Sequence, residues 1–463
     1  MEPLKPQSIN YKKIEQVSGK YRYARINLNN ITGSQVPLSA TSSTTLEFKL
    51  PAGVYNLSRS FLSFVNNVNN ITVSTYVYDN SLSIAQSIQF GTSSGLNLCD
   101  INYANNYINV VRPIDTPIEV FLSNDNTTCL YPIIAGNAIS PNSNNVFPPT
   151  FAVNGTNPYN MATTTQPLNP IVNGICDARQ STATTAPVVN TTVFPLSGVV
   201  NSILSMDKDQ YFPDNMYLRI STAPSGKVAY QAANVNDGAT TPANISVQPV
   251  LNNVCFYLAI EKDQLIIDSL LSKYASGNLR YQIPFVSSYR NAVGSGVSTI
   301  QIQMNSGNGK KLKRVVSTFY NANETAGGVS SNLAYDHNNV NSVKCSSLQT
   351  YIDNMPLQDS VMSCALPTAL LNNMDDWREN KQNCKGSAIK NSLEYYMHWF
   401  HADRFYEKNE TTDIQFDNID EGLSLVTPKA WSLQANMAVA AVNYTFCNFT
   451  RDLNVSPNGI MFV

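Results

Sequence analysis

Hydrophobic residues recur at every second position in short runs along this chain, and that period constrains the fold more than any other feature. Leu46, Phe48 and Leu50 share one face of an extended segment, and Ile71, Val73, Thr75 and Val77 share another. The same spacing returns at Ile118, Val120 and Leu122, at Met216, Leu218 and Ile220, and at Ile300, Ile302 and Met304, with Gln301 and Gln303 between them. Successive side chains of a strand point to opposite faces, so this period predicts half-buried strands in antiparallel sandwiches rather than a parallel sheet. The pattern occurs twice. Leu50-Pro51-Ala52-Gly53-Val54-Tyr55 leads into Ser60-Phe61-Leu62-Ser63-Phe64-Val65, and a comparable strand-rich block begins at Leu251. Two units of about 200 residues each fit the upper range of single all-β domains.

Between the halves, Asn236-Asp237-Gly238-Ala239-Thr240-Thr241-Pro242 is polar and aperiodic, as a boundary requires. The expected organisation is an N-terminal arm at 1–28, a first unit at 29–236, a linker at 237–250 and a second unit at 251–463. Helical spacing of Leu265, Ile266, Leu270, Leu271 and Tyr274, with Gly277 as a stop, predicts a helix over Glu261–Ser276, and a second is expected over Ala369–Asn383. A long Pro-, Asn- and Thr-rich connection is expected from Ala135 to Val188.

Composition bears on what such a protein can do. Charged residues make up 13% of the 463 residues, against about 25% in an average chain, and Asn, Ser and Thr supply the polarity instead. Interface cores are depleted in Lys, Glu and Asp, so a surface this poor in charge suits extensive burial against partners. A net charge of −2 gives no overall attraction to nucleic acid or an anionic membrane. The amino terminus has no apolar core of a secretory signal, and no stretch reaches the roughly 18 apolar residues of a membrane span. The eight cysteines are widely spaced with no C-x-x-C pair, so buried thiols are expected rather than a zinc ribbon or redox motif. Sequons such as Asn30-Ile31-Thr32 are numerous, as an Asn/Thr-rich chain produces by chance.

Candidate chemistry is sparse. Gly91-Thr92-Ser93-Ser94-Gly95 matches G-x-S-x-G, but a nucleophile elbow needs an alternating βα sheet around it, so a Ser/Gly turn is expected. His398, His401 and Asp403 are clustered, yet zinc needs three or four convergent ligands, and on a strand the two histidines point to opposite faces. His337 stands alone. Gly307-Asn308-Gly309-Lys310-Lys311 lacks the spacing of a phosphate loop. No catalytic residue, metal or cofactor is therefore expected. The one weak binding signal is basic: Lys12, Lys13, Lys20, Arg22 and Arg25 in the arm, and Lys310, Lys311, Lys313 and Arg314 in the second half, as contacts to nucleic acid or to an inner face. A solvated hairpin end is the plainer account of the second group.

Several segments carry a resemblance. They are the Leu50–Tyr55 and Ser60–Phe64 strings, Ser93-Ser94-Gly95-Leu96-Asn97-Leu98-Cys99-Asp100-Ile101-Asn102, Leu258-Ala259-Ile260-Glu261-Lys262 with Gly277-Asn278-Leu279, and Gly309-Lys310-Lys311-Leu312-Lys313-Arg314. Tyr351-Ile352-Asp353-Asn354-Met355-Pro356-Leu357-Gln358-Asp359 and Lys385-Gly386-Ser387-Ala388-Ile389 are the more specific ones. Together they resemble the double jelly-roll major capsid proteins of Polinton-like viruses, adintoviruses and virophages. The resemblance implies an all-β chain of two tandem eight-stranded antiparallel jelly rolls with a few short helices. It implies a structural, non-enzymatic subunit made in the host cytoplasm and built into the virion capsid. Its partners would be two further copies in a homotrimeric pseudo-hexagonal capsomer, then neighbouring capsomers and minor capsid and penton proteins, with no specific nucleic-acid sequence. The rival readings are a minor capsid penton or spike protein, and a carbohydrate-binding or adhesin-type β-sandwich.

Overall fold

The computed structural model of the protein describes residues 20–33, 35–39, 42–68, 75–76, 84–115, 180–181, 188–224, 230–231, 250–321, 345–357, 361–363, 412–416 and 422–463. Alternating burial builds its strands. In Thr45–Leu50, Leu46, Phe48 and Leu50 are fully buried. In Met216–Thr222 and Gly296–Met304, Met216, Leu218 and Ile220 and then Ile300, Ile302 and Met304 likewise go inward, while Gln301 and Gln303 stay exposed. Each fully buried Leu or Phe side chain contributes about 1.5–3 kcal/mol over its exposed state, which fixes the register of these strands.

The first unit runs through Tyr21–Asn27, Thr45–Leu50, Gly53–Val68, Ala85–Thr92, Asn97–Asn102, Val188–Pro195, Met216–Thr222 and Val250–Glu261. All their pairings are antiparallel. One sheet has the order first, eighth, third, sixth, and the facing sheet the order second, seventh, fourth, fifth. The second unit repeats this order with Leu279–Val293, Gly296–Met304, Lys311–Asn321, Cys345–Ile352, Met355–Pro356, Thr412–Gln415, Lys429–Met437 and Ala441–Ser456. Consecutive strands thus wind across two facing sheets twice over, and the fold is a double jelly roll.

Two expected boundaries move. The strand Val250–Glu261, expected to open the second unit, closes the first, since it pairs with Tyr21–Asn27 on one side and Gly53–Val68 on the other. Leu251, Phe256 and Leu258 fill the first core, and a central strand needs a partner along both edges, which here come only from the first roll. The second roll begins at Leu279, and the connector is the helix Gln264–Ala275. Asp263 caps its start, accepting from the Leu265 amide at 2.9 Å. Its end is a Schellman turn, in which Asn278 N–H donates to the Lys273 carbonyl, Gly277 N–H donates to that of Tyr274, and Gly277 adopts a φ of 73°. The expected arm at 1–28 also shortens, because Tyr21–Asn27 is the first strand of the first sheet. The helix expected at Ala369–Asn383 and most of the Ala135–Val188 connection lie outside the described residues.

The two rolls share apolar interior. One core cluster holds the first roll's residues together with Ile283, Val286, Val316, Tyr320, Val442, Tyr444 and Phe446 of the second. The other is the second roll's own, centred on Trp431, Phe319, Cys447 and Phe449. Alternation divides the strand Ala441–Ser456 between them, so its first ten residues are all buried. The third strand of the second roll does the same, with Val315 and Phe319 facing one core and Val316 and Tyr320 the other.

Candidate functional site

The most elaborated feature of the described surfaces is the junction between the rolls. After the strand Asn97–Asn102, Tyr103 takes a positive φ of 56° and turns the chain into the helix Ala104–Asp115. That turn delivers two aromatic rings onto the second roll. Tyr103 lies 4.9 Å from the ring of Tyr444, and Tyr107 lies 5.0 Å from that of Phe446, both tilted. Tyr320 meets Tyr444 edge-on at 5.6 Å. Aromatic pairs at such distances contribute about 0.5–1.5 kcal/mol each beyond the area they bury. The Tyr107 hydroxyl reaches Asn448 Oδ1 and the Val200 carbonyl, each at 3.3 Å, and accepts from Asn201 Nδ2 at 3.2 Å.

A second set of contacts ties the rolls beside the connecting helix. The Tyr211 backbone N–H donates to the Tyr281 hydroxyl at 2.9 Å, and the Tyr211 ring meets Tyr274 edge-on at 5.0 Å. Burial pushes the Tyr281 hydroxyl up to about 12, so it remains neutral across ordinary pH.

The basic residues singled out in the sequence do not converge. Lys12 and Lys13 lie outside the described residues. Lys20 is bound into a clamp with Asp209 at 2.6 Å and Glu261 at 3.2 Å. Burial opposes its charge, but hydrogen bonds to Asp209, Tyr21 and Glu261 outweigh that and hold its pKa above the usual lysine range. Arg22 and Arg25 are exposed on the first strand. In the second roll Lys310 pairs with Asp452 at 2.6 Å, and Lys311 and Lys313 are half-buried.

Arg314 is no surface cation. It forms a buried two-point ion pair with Asp413, Nε to Oδ1 and Nη2 to Oδ2, both at 2.6 Å. A bulge between Leu312 and Arg314 shifts the register by one residue and puts this side chain opposite Asn448, on the face of Val316 and away from the core that Leu312 and Phe449 enter.

The motif-like loops have structural explanations. Ser93 sits exposed at the tip of the hairpin joining Ala85–Thr92 to Asn97–Asn102, where Thr92 N–H donates to the Leu96 carbonyl and no helix follows. In the Gly307–Lys311 loop, Asn305 Oδ1 accepts from Gly307 N–H, and Arg451 binds the outward carbonyls of Gly307 and Asn308. A phosphate cradle needs free amides, and this loop presents carbonyls to a cation instead. Gly309 is required by close approach, since a Cβ there would lie 2.7 Å from that of Phe449. His337, His398, His401 and Asp403 lie outside the described residues, and no group of three metal-ligating side chains occurs among those described.

The Asp353-Asn354 part of the Tyr351–Asp359 string is a hairpin turn with φ of 51° and 66°, both positive as primed turns require. Asp353 clamps it to the seventh strand, accepting from Ala430 N–H and Lys429 Nζ at 2.8 Å each.

The junction tyrosines were not picked out by sequence reasoning. A signal existed in Ala441–Thr450, where Val442, Tyr444 and Phe446 alternate with Cys447 and Phe449 on the opposite parity, marking a strand covered on both faces.

No protein-family model and no curated protein sequence matches the chain. Solved structures do. A chain in the cryo-EM structure of the Sputnik virophage is similar over 94% of this chain and 89% of that one, with 12% identity and a TM-score of 0.52. The faustovirus major capsid protein is similar over 94% and 90%, with 8% identity and a TM-score of 0.52. The mavirus major capsid protein is similar over 95% and 90%, with 9% identity and a TM-score of 0.50. At these identities the likeness is one of fold, and it agrees with the strand order of the two rolls.

Proposed function

We propose that this chain is a viral major capsid protein, a structural subunit of an icosahedral shell. The observation that carries this is the pair of rolls with one strand order, fused through a shared apolar core into a single double wedge that spans about nine-tenths of the capsid chains it is similar to. In this reading three copies close into a pseudo-hexagonal capsomer of six rolls. A heterologous head-to-tail contact closes into such a ring when its rotation fits. The low charge content suits the large interfaces this demands. Neighbouring capsomers and minor capsid and penton proteins are the further partners, and the location is the virion capsid. Lys12 and Lys13, and the exposed Arg22 and Arg25 that follow them in the sequence, suit contacts on the inner side of the shell. The protein performs no catalysis in this role.

The test is assembly. Light scattering after size-exclusion chromatography should give a mass of three chains, and negative-stain microscopy of concentrated protein should give hexagonal arrays or shells. A protein that stays monomeric at micromolar concentration and never forms arrays overturns the proposal. Removing residues 1–19 should leave the capsomer intact and impair shell closure; normal shells from the truncated chain would remove the inner-face role alone.

A further inference from the structure

The helix Gln264–Ala275 joins the two rolls, and none of its residues is buried. Ile266, Leu270 and Tyr274 form its inward side, where Leu270 and Tyr274 pack half-buried against the first core. A surface helix ordinarily turns a polar side to water. This one carries Leu265 and Leu271 there instead, 80% and 37% exposed. Asp268 stands three residues from each leucine, so at 3.6 residues per turn the three share the outward side. An apolar pair flanking a carboxylate is a surface made for an apolar segment that carries a cation.

The chain itself holds such a segment, and its root lies at the start of this helix. Lys20 is the first described residue, and its ammonium lies 3.2 Å from Glu261 Oε2. The other carboxylate oxygen of Glu261 accepts from the Lys262 and Asp263 amides at 2.8 Å each. Asp263 is the residue that caps the helix. One buried carboxylate therefore fastens the point where residues 1–19 leave the first roll to the point where the helix begins.

Those 19 residues contain Ile9, Tyr11, Ile14 and Val17, with Lys12 and Lys13 between Tyr11 and Ile14. A helix of 12 residues is about 18 Å long, which about six extended residues span. Tyr11, Ile14 and Val17 are thus within reach of the whole outward side. A tether this short holds the arm at an effective concentration of about millimolar, so at micromolar protein a second copy's arm competes poorly.

We propose that residues 9–17 lie along the outward side of the helix Gln264–Ala275 of the same molecule. Tyr11, Ile14 and Val17 meet Leu265 and Leu271, and Lys12 and Lys13 lie beside Asp268. The arm thereby closes over the connector between the rolls, and Lys20 is the pivot on which it turns.

Two measurements on the full-length protein test this. With the photo-cross-linker benzoylphenylalanine in place of Leu265, irradiation should join the helix to a peptide from residues 9–17, and the product should keep the mass of one chain. A product of two chains, or a cross-link only to other segments, overturns the proposal. Trypsin should cut slowly after Lys12 and Lys13 in the parent, and about tenfold faster in the Leu265→Glu, Leu271→Glu variant, in which the seat is lost. Both leucines are exposed, and circular dichroism checks that the variant stays folded. Equal cleavage in parent and variant overturns the proposal, as does a parent that binds phosphatidylcholine vesicles through Leu265 and Leu271 with its arm still freely cut. The contact lies within one molecule, so its failure leaves the capsid reading standing, and a parent that never assembles would overturn that reading alone.

Discussion

Tyr107 and Asn448 lie 341 positions apart and meet inside the protein, the tyrosine hydroxyl 3.3 Å from the amide oxygen. One residue comes from the helix of the first roll and the other from the eighth strand of the second, so this contact joins the two rolls. Tyr107→Phe should cost about 1–3 kcal/mol by leaving Asn448 Oδ1 without this partner. Tyr107→Ala should cost about 3–5 kcal/mol through the cavity left beside Phe446. Denaturant unfolding measures both, and the parent should unfold in one transition because the core is shared. Separate transitions for the two rolls would contradict this.

The Arg314–Asp413 pair is buried on both sides. Asp413→Ala strands a guanidinium away from water and should destabilise the second roll by about 3–5 kcal/mol. Replacing both residues by apolar ones of similar volume should recover most of that loss. Thermal melts of the single and double variants make the comparison.

Asp353 governs an acid response at the Met355 edge. The Ala430 amide, and then the Lys429 ammonium, hold its carboxyl below the ordinary 3.8. A lowered folded pKa means that the stabilisation is complete above the unfolded value and is lost as pH falls through the folded one. The difference in melting temperature between the parent and Asp353→Asn should therefore be constant near neutrality, begin to fall near about pH 4 and vanish only once the pH lies below the lowered folded value. A difference that persists at pH 2 would contradict the assignment.

Cys99 and Cys447 are fully buried in different clusters, and burial pushes both thiols far up, with the Asp100 charge adding to the effect at Cys99. The thiolate is the reactive form, so neither should take up a maleimide in the native protein at pH 7, and both should react after unfolding. Peptide mass spectrometry separates these sites from the other cysteines. Native labelling of Cys447 would mean that the second core opens.

How far the sequence spoke depended on which partner a residue needed. Leu46, Phe48 and Leu50, or Ile300, Ile302 and Met304, reveal their faces by period alone, because one side meets a core and the other meets water. The roll boundary was not legible at Leu251, since an alternating strand looks the same whether it closes one sandwich or opens the next. Only its pairing with Tyr21–Asn27 decides between them. Arg314 looked like part of a basic run because its buried partner Asp413 is 99 positions away and the bulge that sets its face leaves no mark in composition. The ring ladder of Tyr23, Phe61 and Tyr257 was hidden differently, as its members come from three strands distant in sequence and meet only across the sheet.

The shared core also sets an order of events during synthesis. The first roll needs residue 261 to close its sheet, and Tyr103 and Tyr107 await Val442, Tyr444 and Phe446, which lie in the second roll's eighth strand. A chain growing from the ribosome therefore carries a nearly finished roll with a bare aromatic flank until residues 442–446 emerge. That interval is when a nascent chain is most exposed to wrong partners, including the second roll of a neighbour on the same message.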